Sequence, residues 1–211
     1  MDKILASEAG DMRSIRIGGT KILNKNMKVI LFDFFGVLST PAYMEVIKKF
    51  IPIVQQADWI KKLDVLDSGE MSEEQLVSEI SAYSQISPAE IWMVANRAPK
   101  LNQKLINFIK NDLKIKFKVG LLTNIPRSLL ERILKEELNL FDFTFISSEL
   151  KLIKPDKRIF EVAVSKVGFP VSEILFVDDG QRNVEVASSL GINVILYQNF
   201  NLFLKEVKKY I

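Results

Sequence analysis

Short apolar runs recur along this chain, each bounded by polar or glycine-containing stretches. Lys28–Phe32 (KVILF), Lys118–Leu122 (KVGLL), Phe143–Ile146 (FTFI), Ile174–Val177 (ILFV) and Asn193–Leu196 (NVIL) each have the length of a strand. Their near-continuous hydrophobicity, without strict alternation, predicts strands covered on both faces, as in a parallel sheet. Helical patterns lie between them at Arg127–Leu138, Lys157–Val167 and Asn183–Leu190. Strand and helix alternating in this way predict an α/β domain with a doubly wound parallel sheet and right-handed crossovers.

One interval breaks that rhythm. From about Pro41 to Asn111 helical patterns follow one another with no convincing strand, too long for a simple crossover and too periodic for a loop. Within it, Ser72 followed by Gln75 is a capping box, and Ser87-Pro88 opens another helix. The segment reads as an insertion of four helices after the first strand. Residues 27–40 and 112–211 then form the α/β core and 41–111 the insertion. Residues 1–26 have little periodicity and a Gly18-Gly19 pair, and read as an N-terminal extension ahead of a second candidate start at Met27.

The chain's 211 residues suffice for one domain carrying a small insert. Two absences narrow the chemistry. Without cysteine there are no disulfides, thiolate catalysis or Cys-ligated zinc; without histidine there are no Ser-His-Asp triads, HExxH sites or imidazole acid–base catalysis. Catalysis must rest on carboxylates, Lys or Arg, hydroxyls and oxygen-liganded cations, an inventory that Mg²⁺ fits best. Net charge is +3, and basic pairs such as Lys48-Lys49, Lys61-Lys62 and Lys208-Lys209 are scattered along helical faces. That scatter predicts no nucleic-acid partner. No apolar run approaches the ~18 residues of a membrane span, and the N-terminus lacks the layout of a secretory signal, so no membrane partner and a cytoplasmic location are expected.

The polar residues at the strand ends form a pattern of their own. Asp33 ends the first strand, Thr123-Asn124 the second and Asp178-Asp179-Gly180 the fourth, while Lys154-Pro155 follows the third. Taken singly, each is ordinary turn, cap or surface chemistry. Ligands of open parallel sheets, however, sit just beyond the carboxyl ends of the strands. The joint order therefore predicts one crevice where three acids, a hydroxyl and an ammonium converge.

The stretches LFDFFGVL, VGLLTN, LKLIKPDKRIF and FVDDGQRNVEVASSLGI resemble the four motifs of the haloacid dehalogenase (HAD)-like hydrolase superfamily, over roughly Lys28 to Leu196. Asn183 and Gly191 stand at that family's spacing. The insertion falls where the family carries its small helical cap, and SGEMSEEQL is similar to a Gly-Glu-Ile-Ser stretch of that cap. Sugar-phosphate phosphatases are the subgroup most resembled. The resemblance implies a Rossmann-like core and hydrolysis of a small phosphorylated substrate by a monomer or homodimer. It implies that Asp33 is a nucleophile forming an aspartyl-phosphate. It further implies Mg²⁺ bound by Asp33, the carbonyl of Phe35 and Asp179, with Asp178 beside them. Thr123 and Asn124 would contact the substrate's phosphoryl group, and Lys154 would balance its charge.

Phosphatases of that family carry Asp two residues after the nucleophile, as an acid–base, where this chain has Phe35. Four accounts stay open. The substrate's leaving group departs without a proton, as from an anomeric or acyl phosphate. The chain is instead a 2-haloacid dehalogenase, whose halide needs none. An acid of the insertion substitutes, Glu45 and Glu70 being candidates. Or the protein binds a phospho-ligand without turning it over. Tyr43, Trp59 and Trp92 read as core of the insertion, and Ser39 and Thr40 either touch substrate or cap the next helix.

Overall fold

The structure, a computed structural model, describes residues 26–211. The predicted extension over 1–26 lies outside the described residues apart from Asn26.

Five strands form one parallel sheet. β1 (Val29–Phe32) lies at its centre, flanked by β2 (Lys118–Thr123) and β4 (Ile174–Asp178), with β3 (Phe143–Ile146) and β5 (Asn193–Leu196) at the edges. All four residues of β1 are buried. Ile30, Phe32, Val119, Leu121, Leu175 and Val177 enter one core, while Val29, Leu31, Leu122, Phe145 and Phe176 enter another across the sheet. Two buried faces explain why these strands read as unbroken apolar runs.

After β3 comes a single helical turn, α7 (Ser147–Leu150); α8 (Lys157–Val167) and α9 (Gln181–Ser189) then cover the second core through Ile159, Phe160, Ala163 and Ala187. The first core is covered by α5 (Gln103–Phe108), α6 (Arg127–Leu134) and α10 (Phe200–Val207), among them Phe108 edge-on to Phe200 and Phe203. Two predicted helix bounds shift. The helix expected over Arg127–Leu138 stops at Leu134, because Lys135 takes a positive φ of 50° and the chain continues as a 3₁₀ turn over Lys135–Leu140. α9 starts at Gln181 rather than Asn183, its first two residues facing solvent and so carrying no apolar signal.

Between β1 and β2 the chain makes α1 (Ala42–Phe50), α2 (Ile53–Asp67), α3 (Glu73–Ser84) and α4 (Pro88–Arg97). The capping box forms as the sequence predicts: Gln75 N–H donates to Ser72 Oγ at 3.2 Å, and Ser72 N–H to Gln75 Oε1 at 2.7 Å. Ser87 caps α4, with Pro88 in its first turn. Outgoing and returning chain are stitched together at the base: Asn102 N–H donates to Leu38 O at 2.8 Å, and Thr40 Oγ1 donates to Ala98 O while accepting from Lys100 N–H. Thr40 is thus part of the stitch, and Pro41, not Ser39 or Thr40, caps α1. Tyr43 and Trp59 are buried among the inserted helices, and Trp92 is partly buried against them.

Candidate active site

The carboxyl ends of β1, β2 and β4 lie side by side, and the order of the sheet reverses at β1 between β2 and β4. That is where a crevice opens in such sheets. Two strand-end carboxylates and a lysine from the loop that follows β3 meet there in direct contact. Lys154 Nζ lies 2.7 Å from Asp33 Oδ1 and 2.6 Å from Asp178 Oδ2. All three residues are buried.

The ammonium is aimed by its own peptide. Asn124 Oδ1 accepts from Lys154 N–H at 2.8 Å, and Asn124 Nδ2 donates to Lys154 O at 3.0 Å. The amide expected to contact substrate therefore grips the lysine's backbone. Asp178 is fixed in the same manner. Its Oδ1 accepts from Gly180 N–H at 2.7 Å and Asn183 Nδ2 at 3.0 Å, while Asn183 also reaches Oδ2 at 3.1 Å. Asn183 entered the sequence reading only as part of a motif; its role is to hold Asp178.

Charge is finely balanced in this crevice. Burial pushes the Asp33 carboxyl up from 3.8 to about 6, and nearby Asp178 adds to this, while Lys154 pulls the other way. Burial alone would lower the Lys154 ammonium, but Asp33 and Asp178 together outweigh it and hold the group charged. Burial, then Asp178, raises Asp179, which stands at the exposed mouth.

Two polar groups here have no protein partner among the described residues. Thr123 Oγ1, fully buried at the end of β2, makes no hydrogen bond. A buried hydroxyl without a partner is unfavourable by about 1–3 kcal/mol, and calls for a ligand to satisfy it. The Phe35 carbonyl takes part in no backbone hydrogen bond among the described residues.

A cation would find hard oxygen donors in this place. Asp33, Asp178 and Asp179 each offer a carboxylate oxygen within 4.8 Å of the others. Lys154, Gly180 and Asn183 between them engage both oxygens of Asp178, whereas Lys154 pairs with Asp33 through Oδ1, so Asp33 and Asp179 are the carboxylates better placed to serve a cation, with the unpaired Phe35 carbonyl in the same loop as Gly36. Gly36, at φ +86°, turns the backbone so tightly that a Cβ there would lie 2.0 Å from Asp179 Oδ2. Only glycine lets this loop lie against the acid. An all-oxygen set of this kind suits Mg²⁺.

The family model of haloacid dehalogenase-like hydrolases matches residues 27–191. The chain belongs to that family. This HAD-like hydrolase is 24% identical in sequence to a predicted HAD-like family hydrolase from Porphyromonas gingivalis, whose solved structure superposes with a TM-score of 0.71 over 87% of this chain and 97% of that one. A HAD family enzyme from Bacteroides thetaiotaomicron, in complex with magnesium and inorganic phosphate, gives 0.66 at 23% identity, over 84% and 98% of the two chains. An (S)-2-haloacid dehalogenase from Pseudomonas fluorescens is 31% identical over 78 residues, 36% of this chain and 34% of that protein. The chain spans about a fifth of the length of the first curated relatives it matches. Among the described residues no helix is long and apolar enough to cross a membrane.

Proposed function

We propose that this HAD-like hydrolase is a Mg²⁺-dependent phosphatase of a small phosphorylated metabolite, with sugar phosphates as the favoured class. The observation that carries the reading is the unpartnered Thr123 hydroxyl, buried beside a buried ammonium–carboxylate cluster. A phosphoryl group supplies what that place lacks: oxygen acceptors for the hydroxyl and negative charge for Lys154.

In this reading Asp33 attacks phosphorus, the bond to the leaving oxygen breaks, and an aspartyl-phosphate forms and is then hydrolysed. Lys154 steadies Asp33 and neutralises phosphoryl charge, and Thr123 donates to a phosphoryl oxygen. Asn124 and Asn183 keep Lys154 and Asp178 in place. Asp33, Asp179 and the Phe35 carbonyl would hold magnesium, with Asp178 beside them. Bound there, the ion supplies countercharge for the phosphoryl oxygens and keeps the clustered carboxylates ionised. Preset countercharge of this kind is most of what phosphoryl transfer demands. The relative captured with magnesium and phosphate supports the same chemistry.

Phosphate release across sugar phosphates and nucleotides, with Mg²⁺ or EDTA, tests the reading. Release with Mg²⁺ that stops in EDTA is expected. Absence of release from every substrate, alongside tight binding of one, would favour a non-catalytic ligand-binding protein.

A second reading draws on Phe35 and on the relative named as a 2-haloacid dehalogenase. Halide needs no proton to leave, so an aromatic residue at position 35 is no handicap. Halide release from 2-chloropropionate in EDTA would support it. Asp178 could serve a metal-free displacement by holding Lys154, but Asp179 at the mouth has no use in one, which favours the phosphatase.

A further inference from the structure

We propose that Asp67, the last residue of α2, is the general acid–base of this site, standing in for the carboxyl that Phe35 cannot supply. The inference rests on the phosphatase reading above and deepens it.

A phosphate ester of an ordinary alcohol needs a proton on its leaving oxygen, and the water that follows must lose one. Asp33, Asp178 and Lys154 are committed to one another. Phe35 packs on Phe34 with ring centroids 5.1 Å apart and offers no proton. Neither of the two acids of the insertion that the sequence suggests is held in the crevice by any contact among the described residues. Glu45 is exposed and pairs with Lys48, and Glu70 is exposed at the start of the turn into α3.

Asp67 is placed differently. Ser147 Oγ donates to its backbone carbonyl at 2.5 Å and accepts from Ile125 N–H at 2.9 Å, so one hydroxyl ties the end of α2 to the loop that follows Thr123. The next two residues are clamped as well. Lys151 Nζ donates to Gly69 O at 2.9 Å and Ser68 O at 3.4 Å, and Gly69 lies so close that a Cβ would meet Lys151 Nζ at 2.8 Å and Ser148 O at 2.9 Å. The turn is thereby docked onto the segment joining β3 to Lys154, the lysine of the crevice.

The docked turn brings Asp67 within reach of the crevice's charges. Burial raises Asp67 well above the usual carboxylate range; Asp64 and Asp33 add to this, and Lys154 opposes it. Asp33 and Lys154 are distant in sequence, so their fields reach Asp67 only because the fold brings the three together. No hydrogen bond among the described residues uses the Asp67 carboxyl, which leaves its proton for a ligand. Half-buried and without a hydrogen-bond partner among the described residues, the carboxyl is biased toward its proton-bearing form, the form a proton donor needs.

The step balances. As Asp33 forms its bond to phosphorus, the electron pair of the breaking P–O bond passes to the leaving oxygen, which takes the proton from Asp67. The Asp67 carboxylate then accepts a proton from the water that attacks phosphorus, releasing phosphate and restoring Asp33 and the Asp67 acid.

The test compares an alkyl phosphate, glycerol phosphate, with p-nitrophenyl phosphate, whose acidic phenol leaves with little help, in saturating Mg²⁺. In Asp67→Asn the alkyl-to-aryl rate ratio is expected to fall by about 10²–10⁴-fold. Introducing Phe35→Asp into that variant restores part of the ratio. Equal loss on both substrates, or an unchanged ratio, overturns the assignment. The wild-type enzyme gives a readout independent of whether any variant folds: its rate depends weakly on leaving-group pKa across a series of phosphate esters, and a steep dependence overturns the proposal. Should the wild-type enzyme hydrolyse p-nitrophenyl phosphate but not glycerol phosphate, Asp67 alone is refuted. Should it hydrolyse neither, the phosphatase reading falls and takes Asp67 with it.

Discussion

Two groups of buried charge in this protein use the same residue types and treat them in opposite ways. Between the inserted helices and α6, Glu73 is buried to 4% exposure. Its oxygens accept from Tyr43 Oη at 2.8 Å, Ser128 Oγ at 2.7 Å, and Arg132 at 3.1 and 2.6 Å. Arg132 in turn lies 5.3 Å from the centre of the Trp92 ring. Burial and the Glu73 charge push the Tyr43 hydroxyl far up, so it stays a donor. Both carboxylate oxygens are satisfied, and the cluster joins α1, α3 and α6 into one block. At the strand ends Asp33, Asp178 and Lys154 are just as buried, yet Thr123 is left without a partner and Asp33 is held at a raised pKa. A complete cluster is a joint; an incomplete one is a place where a ligand belongs.

The largest effect that separates the two belongs to Asp33. Asp33→Asn is expected to lower turnover by on the order of 10⁴–10⁶-fold, with circular dichroism unchanged. Activity retained in that variant would move the chemistry elsewhere. Glu73→Ala acts on the other cluster and in the other coin, stability. It strands Tyr43, Ser128 and Arg132, and an unfolding free energy lower by about 3 kcal/mol is expected in urea. A loss below about 0.5 kcal/mol would mean that Glu73 is no joint.

Thr123→Val is a smaller and sharper probe, since it deletes the one buried hydroxyl that lacks a partner among the described residues. Phosphate affinity measured by calorimetry should fall by about 10–100-fold, the worth of one hydrogen bond to a charged group. Stability should hold or rise slightly. A clear drop in stability would show that the hydroxyl serves the fold.

The smallest effect is one of pH. In EDTA, the Asp33 carboxyl titrates at about 6 in the folded protein against 3.8 in its ordinary state. The folded state therefore holds this proton more tightly. The stability it contributes is complete below the lower value and is lost as pH rises through the upper one. Melting temperatures of wild type and Asp33→Asn should coincide in acid and part by a few degrees above neutrality, with the variant the more stable. Parallel curves would contradict the raised pKa.

How much of this could be read from the chain depended on how local each cause was. The strands β3 and β5 fall on the residues predicted, because burial on two faces writes itself as a run of apolar residues. Asp33, Lys154 and Asp178 were recognisable because strand ends are fixed points in a parallel sheet, and the sheet carries them into contact. The bond from the Asn124 amide to the Lys154 peptide is not legible in the chain, since only the fold brings the two together. Glu73 and Asp67 were invisible. Each is one acid in a charged helical stretch, and what sets it apart from Asp64 or Glu74 is contact with residues far along the chain. The resemblance supplied the roles; the geometry sets Asn124 against the Lys154 peptide and Glu45 against Lys48.

The central claim is that Asp33 carries the phosphoryl group. Acid quenching of the enzyme during turnover of a radiolabelled phosphate ester with Mg²⁺, followed by peptide mapping, tests it directly. The account predicts label on the peptide containing Asp33 and none in Asp33→Asn. Label on another residue, or turnover by the Asp33→Asn variant, would contradict it.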